Sequence, residues 1–154
     1  MDEKEKTVVD RGDPLPAIMS IALCLKFAGA IMSIYVEQEG MKMKKENIVG
    51  MAKNVEDLLA SFCYCGDLGL HGIDHLRRVA ILSGRLAVAV GEDVESAVVM
   101  GFLHDSARRN DGGGNGHAHD SAVLARELIE RFYPHLDVDR ICEAIAGHAD
   151  GEVV

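Results

Sequence analysis

The sequence predicts an all-α fold, a compact bundle of about five to six helices. Three observations carry this. Apolar residues recur at spacings of three and four along most of the chain, the period of one helix face. Helix boundary residues stand where those periodic runs begin and end, as at Gly91, Asp93 and Asp137. No segment shows the apolar–polar alternation of a half-buried strand.

The elements follow in order. Residues 1–13 carry mixed charges and read as a loose tail. Leu15 to Tyr35 is an apolar run interrupted by Lys26. It is long enough for a membrane span, but a lysine near its middle costs roughly 2.5–3.5 kcal/mol on insertion scales. The run also lacks the basic start of a cleaved leader. A packed helix is therefore expected in preference to an N-terminal membrane anchor or a secretory leader. Met41 or Met43 as the natural start is the remaining reading.

Lys45 to about Phe62 reads as a helix with Ile48, Met51, Ala52, Val55, Leu58, Leu59 and Phe62 on its inner stripe. Cys65 to Gly72 holds three glycines and reads as a loop. Asp74 to Val90 is strongly periodic, with Leu76, Val79, Ala80, Leu86 and Ala87 facing inward and Gly91 placed to end it. Asp93 can cap the next helix, which is apolar almost throughout and runs to about Asp105. The glycine-rich stretch Arg108 to Gly116 is a connector. No G-K-[ST] follows it, so it is not a Walker-type phosphate loop. Ala118 to Phe132 is a helix stopped by Pro134, and Val138 to about His148 is the last, with Asp137 as its cap.

A chain of 154 residues is enough for one respectable core. The net charge is −9 and unevenly spread. Residues 1–53 hold eight acidic and eight basic residues, whereas residues 54–154 hold seventeen and eight. All seven lysines lie at or before Lys53. This shift supports a division into an N-terminal tail and apolar helix over 1–44 and a helical domain over 45–154. The acidic second part argues against broad nucleic-acid binding, which needs a basic footprint. Cys24, Cys63, Cys65 and Cys142 form no C-x-x-C pair or disulfide framework. They read as reduced thiols of a cytoplasmic protein, and Cys63 with Cys65 is a weak metal-binding signal.

Chemistry is concentrated in the histidines. His75, His104, His117 and His148 each fall on or at the edge of the apolar face of a successive helix, and Asp105 follows His104 directly. A buried imidazole beside a carboxylate is costly unless the pair binds something. A divalent cation is the common answer, because both groups are metal ligands, and helical bundles assemble such sites from facing helices. A single histidine of this kind is more often a satisfied core residue. Four, together with Asp105, point to a site. H-G-I-D-H lacks the glutamate of a zincin H-E-x-x-H. His71 is left as a loop or supporting residue, His135 as exposed, and His119 without a role. Asp120 can orient an imidazole or favour a helix N-terminus.

His71-Gly-Ile-Asp-His75-Leu-Arg-Arg-Val79, then Phe102-Leu-His104-Asp105-Ser-Ala, then His117 ahead of Ser121-Ala-Val-Leu-Ala125, resembles the HD-domain superfamily of metal-dependent phosphohydrolases with its H…HD…D pattern. The resemblance covers about residues 70–150. It implies an all-α HD-type bundle, with His75 as first ligand, His104 and Asp105 as the doublet, and His117 and His148 as the further histidines of two-metal subfamilies. The family's last aspartate lies on a helix beyond the position of His148. Here Asp150 or Glu152 is expected to stand in, or a second copy of the chain to supply the ligand in a homo-oligomer.

The implied activity is hydrolysis of a nucleotide or other small phosphate ester with one or two divalent ions, Mn, Fe, Co, Ni or Zn. Asp105 would be the central carboxylate, and Arg108 and Arg109 would grip the phosphate. A non-catalytic metal-binding or regulatory domain, and a di-iron oxygenase on the same scaffold, are the alternatives.

Overall fold

The computed structural model describes residues 45–66, 68–112 and 116–149. The expected helix over Leu15–Tyr35, and Asp150 and Glu152, lie outside the described residues. Among those described, five α-helices and no strand are present: α1 (Lys45–Leu59), α2 (Ile73–Val90), α3 (Val94–Leu103), α4 (Gly116–Phe132) and α5 (Val138–Gly147). The fold is all-α, as expected.

Helix α3 is the centre. Every residue from Ala97 to Leu103 is buried, so it is apolar all round rather than striped, the signature of a helix packed on every side. It packs against each of the other four helices. Ile48, Ala52, Val55 and Leu59 of α1 meet Leu76 and Ala80 of α2 and Val98, Val99, Phe102 and Leu103 of α3 in one continuous core. Leu128 and Ile129 of α4 and Ile141 and Ile145 of α5 complete it. Phe102 is fully buried, and removing its ring would cost about 3–5 kcal/mol.

The most extensive packing is between α2 and α3 and between α4 and α5, which are two helical hairpins. The first is closed by Gly91, whose φ of 78° suits a residue without a Cβ. The Asp93 carboxylate accepts from Ser96 N–H at 2.8 Å to cap α3. Close approach within this hairpin depends on Gly101, where a Cβ would sit 2.8 Å from Ser83 Oγ and 3.0 Å from Ala80 Cα. The second hairpin turns through Pro134, and Asp137 caps α5 by accepting from Arg140 N–H at 3.1 Å. A two-pronged ion pair from Arg77 to Glu56 joins α2 to α1.

Several boundaries differ from expectation. The first helix does not run unbroken to Phe62, since a tighter 3-10 turn takes over at Ala60–Phe62. Leu58, expected inside, is exposed, because the buried stripe at Ile48, Ala52, Val55 and Leu59 is narrower than the apolar pattern. The central helix stops at Leu103, and residues 104–107 form a turn. His104 and Asp105 therefore sit just past a helix end rather than within it. Helix α4 begins at Gly116, which places His117 in its first turn.

Candidate metal centre

Two helical hairpins packed side by side bring their open ends together. In each, one histidine lies in the first turn of the leading helix and one caps the end of the returning helix. His75 begins α2 and His104 caps α3. His117 begins α4 and His148 caps α5. The core helix α3 delivers Asp105 between the two pairs.

The carboxylate of Asp105 is almost completely buried and each of its oxygens faces one pair. Oδ2 lies 3.5 Å from His104 Nε2 and 3.9 Å from His75 Nε2. Oδ1 lies 3.2 Å from His117 Nε2 and 3.4 Å from His148 Nε2. The ligand atoms of His75, His104 and Asp105 lie within 4.8 Å of one another, and so do those of Asp105, His117 and His148. Each triad could hold a metal ion.

Backbone carbonyls fix which ring nitrogen is available. His104 Nδ1–H donates to Gly101 O at 2.9 Å, and His148 Nδ1–H donates to Ile145 O at 2.6 Å. Both are carbonyls three residues back, left over at a helix C-terminus. With Nδ1 protonated, a neutral imidazole presents its Nε2 lone pair. Those lone pairs face the carboxylate of Asp105. His117 Nε2 is likewise an acceptor, receiving Arg108 Nη1–H at 2.9 Å. Lone pairs directed at a buried carboxylate repel unless protons or a cation lie between them. The donor set therefore fits a divalent cation. Between His75 Nε2 and His104 Nε2, 3.2 Å apart, one proton can make a hydrogen bond, and a cation would replace it.

Protons are disfavoured at His104. Burial pushes its pKa down to about 4, against the opposing pull of Asp105. Burial also lowers the pKa of His75, again against Asp105 and with help from His71, Arg78 and Arg108. For Asp105 itself burial acts upward. Where the imidazoles carry a proton on Nε2, the hydrogen bond from His148 and the charges of His104 and His148, together with that of Arg108, outweigh it and hold the carboxyl well below the usual carboxylate range.

Arg108 is built into the site. Its guanidinium reaches Asp105 Oδ1 at 3.4 Å and donates to Asn110 O at 3.0 Å and Gly112 O at 2.9 Å. A cation in the triad of Asp105, His117 and His148 has to compete with Arg108 for the His117 lone pair. Arg109 is placed differently from expectation, because its guanidinium lies over the Tyr64 ring, 4.1 Å from the centroid. Adjacent residues in a non-helical turn point in different directions, so neighbouring arginines need not share a target.

Two supports escape sequence reasoning. Ser121 Oγ, fully buried, accepts from Ala107 N–H at 3.1 Å and ties the turn after Asp105 to α4. Asp111 accepts from Leu70 N–H at 3.3 Å, His71 N–H at 3.1 Å and His71 Nδ1–H at 2.9 Å. The His71 hydrogen bond is the main cause of the low pKa of Asp111. His71 in turn meets His75 edge-on, with centroids 5.3 Å apart. The Asp111 contacts join residues about forty positions apart, and no spacing in the sequence signals them. Cys63 and Cys65 belong to neither metal-binding triad among the described residues. His135 instead pairs with Glu95 at 3.0 Å on the surface. Among the described residues, no helix is long and apolar enough to cross a membrane.

The family model described as HD domain matches residues 72–153. The chain is 29% identical over 119 residues to Ribonuclease Y of Oceanobacillus iheyensis, covering 77% of this chain and 22% of that protein. It is 30% identical over 93 residues to Ribonuclease Y of Cutibacterium acnes, covering 60% of this chain and 16% of that protein. The chain thus spans about a fifth of the length of these curated relatives. No solved structure matches it significantly.

Proposed function

This chain belongs to the HD-domain family, which is of metal-dependent phosphohydrolase type, and on that premise we propose that it hydrolyses a phosphate ester of a nucleotide with divalent metal held at Asp105. The single observation that carries the reading is the buried Asp105 carboxylate with four imidazole Nε2 atoms between 3.2 and 3.9 Å from its oxygens. His75, His104 and Asp105 would hold one ion, and Asp105, His117 and His148 a second. Asp150 remains a further candidate ligand. Lewis acidity is what a bound divalent ion supplies here, acidifying water and offsetting charge on a phosphoryl group.

The chain's own residues do the rest. His104 and His148, tethered through Nδ1, keep their Nε2 lone pairs aimed inward without reorganising. Arg108, once released from His117, has a planar guanidinium beside the carboxylate and suits a phosphate dianion or monoanion. Burial of Asp105 excludes bulk water from the carboxylate and strengthens each charge interaction there.

Both relatives are named ribonucleases, which favours a phosphodiester between nucleotides as the bond cleaved. The acidic balance of residues 54–154 favours short substrates over long polyanions. A second reading, a domain that binds metal or ligand without turnover, is favoured by the hold of Arg108 on His117 Nε2. The test is release of p-nitrophenol from p-nitrophenyl phosphate and bis(p-nitrophenyl) phosphate by protein supplied with manganese. Turnover of either ester, abolished in Asp105→Ala while the circular dichroism spectrum stays helical, is the expected result. Turnover unchanged in that variant, or absent from metal-loaded wild type, would overturn it.

A further inference from the structure

Tied through its backbone to the turn that carries Asp105, Tyr64 displays an aromatic ring that the core leaves uncovered. Tyr64 is 55% exposed, yet its backbone is fixed. Its N–H donates to Ser106 O at 2.7 Å, on the residue directly after Asp105. Both flanking residues are anchored inward. Cys63 Sγ–H donates to Leu59 O at 3.6 Å, and Cys65 is fully buried. With its neighbours turned in and its amide tied, Tyr64 has little choice but to project outward.

The Arg109 guanidinium lies over this ring at 4.1 Å. An exposed tyrosine carrying a stacked arginine gains little for stability at the surface. It does, however, present a large flat surface at low entropic cost, with a cation alongside. That is the chemistry that receives an aromatic heterocycle next to a phosphate. Leu70, in the same loop and 69% exposed, adds apolar area nearby in the chain.

From this arrangement we infer that Tyr64 and Arg109 form a stacking platform for one nucleobase of the substrate, placed beside the centre at which its phosphate is bound. The inference rests on the phosphohydrolase reading and names the part of the substrate that reading leaves open. Arg109 then serves the base, whereas Arg108 serves the phosphate. A platform for a single base is sequence-tolerant, since every base offers a π-face. It needs no basic groove, consistent with the acidic charge of residues 54–154.

The experiment compares two probes that share phosphate and sugar and differ only in the base, adenosine 5′-monophosphate and ribose 5-phosphate. Their dissociation constants are measured by calorimetry on the full chain as purified. Stacking predicts that the adenosine compound binds roughly fivefold to a hundredfold more tightly. Tyr64→Ala should abolish that preference and Tyr64→Phe should keep it. Arg109→Ala should weaken the adenosine compound and leave ribose 5-phosphate unchanged. Equal affinities in the wild type would overturn the platform, as would a preference that survives in Tyr64→Ala. Equal weakening of both probes by Arg109→Ala would make Arg109 a phosphate ligand and also overturn it. Failure of the metal-centre reading is seen separately, as absence of bound metal, whichever way the base preference falls.

Discussion

The two helical hairpins present the same pair of histidine positions but different surroundings. In the α2–α3 hairpin the helices touch across Gly101, His104 is buried, and the two imidazole nitrogens face each other at 3.2 Å. No arginine is inserted between them. In the α4–α5 hairpin, Arg108 donates to His117 and reaches Asp105. Among the described residues, a guanidinium is hydrogen-bonded to an imidazole in the second half only. Asp105 is common to both. The difference teaches that a shared carboxylate can serve two halves of unequal affinity. The first half should take a divalent ion more readily, and the second only as Arg108 yields.

Lowering the pH should affect the first half most. The His104 pKa lies at about 4 in the folded chain and near 6.5 when unfolded. Between those values the unfolded chain binds the extra proton, so stability falls as pH falls. The metal-free protein should lose up to about 3 kcal/mol from pH 6.5 to pH 4, read as urea midpoints. A flat profile across that range would show that His104 is not held neutral by burial.

Gly101→Ala sharpens the same contrast. A methyl group there meets Ser83 and Ala80, and overpacking of this kind costs about 1–3 kcal/mol. Metal affinity of the first half should fall with it, because the carbonyl that orients His104 belongs to residue 101. Ser121→Ala probes the other side of the Asp105 turn. It leaves the buried Ala107 N–H without an acceptor and should cost about 1–2 kcal/mol by thermal melting. The smallest expected effect is the most discriminating. Arg108→Ala should raise affinity for the second ion severalfold while lowering phosphate-ester turnover. Weaker binding of that ion would mean that Arg108 supports the half-site rather than competing for it.

The histidine–aspartate cluster is more legible in the sequence than its surroundings. His75, His104, Asp105, His117 and His148 were legible because each stood out against an apolar helical stripe, and the structure brings all five together. Their division into two pairs around Asp105 was not legible, since it depends on which helix ends meet. The doublet is expected at the end of a helix reaching about Asp105, but the helix stops two residues earlier, at Leu103, and the turn at 104–107 frees Asp105 to face both pairs. Asp111 and Tyr64 were missed because loop-to-loop contacts leave no periodic trace. Arg109 was grouped with Arg108 by adjacency alone. Asp150 and the apolar run Leu15–Tyr35 lie outside the described residues.

The most direct measurement is metal content per chain, by mass spectrometry on protein dialysed after manganese loading. Wild type, Asp105→Ala, His104→Ala and His148→Ala should be compared. Two half-sites sharing one carboxylate predict two equivalents in the wild type, none in Asp105→Ala, and one in each histidine variant. A single equivalent in the wild type that both histidine variants abolish would contradict the account, leaving one undivided site in place of two.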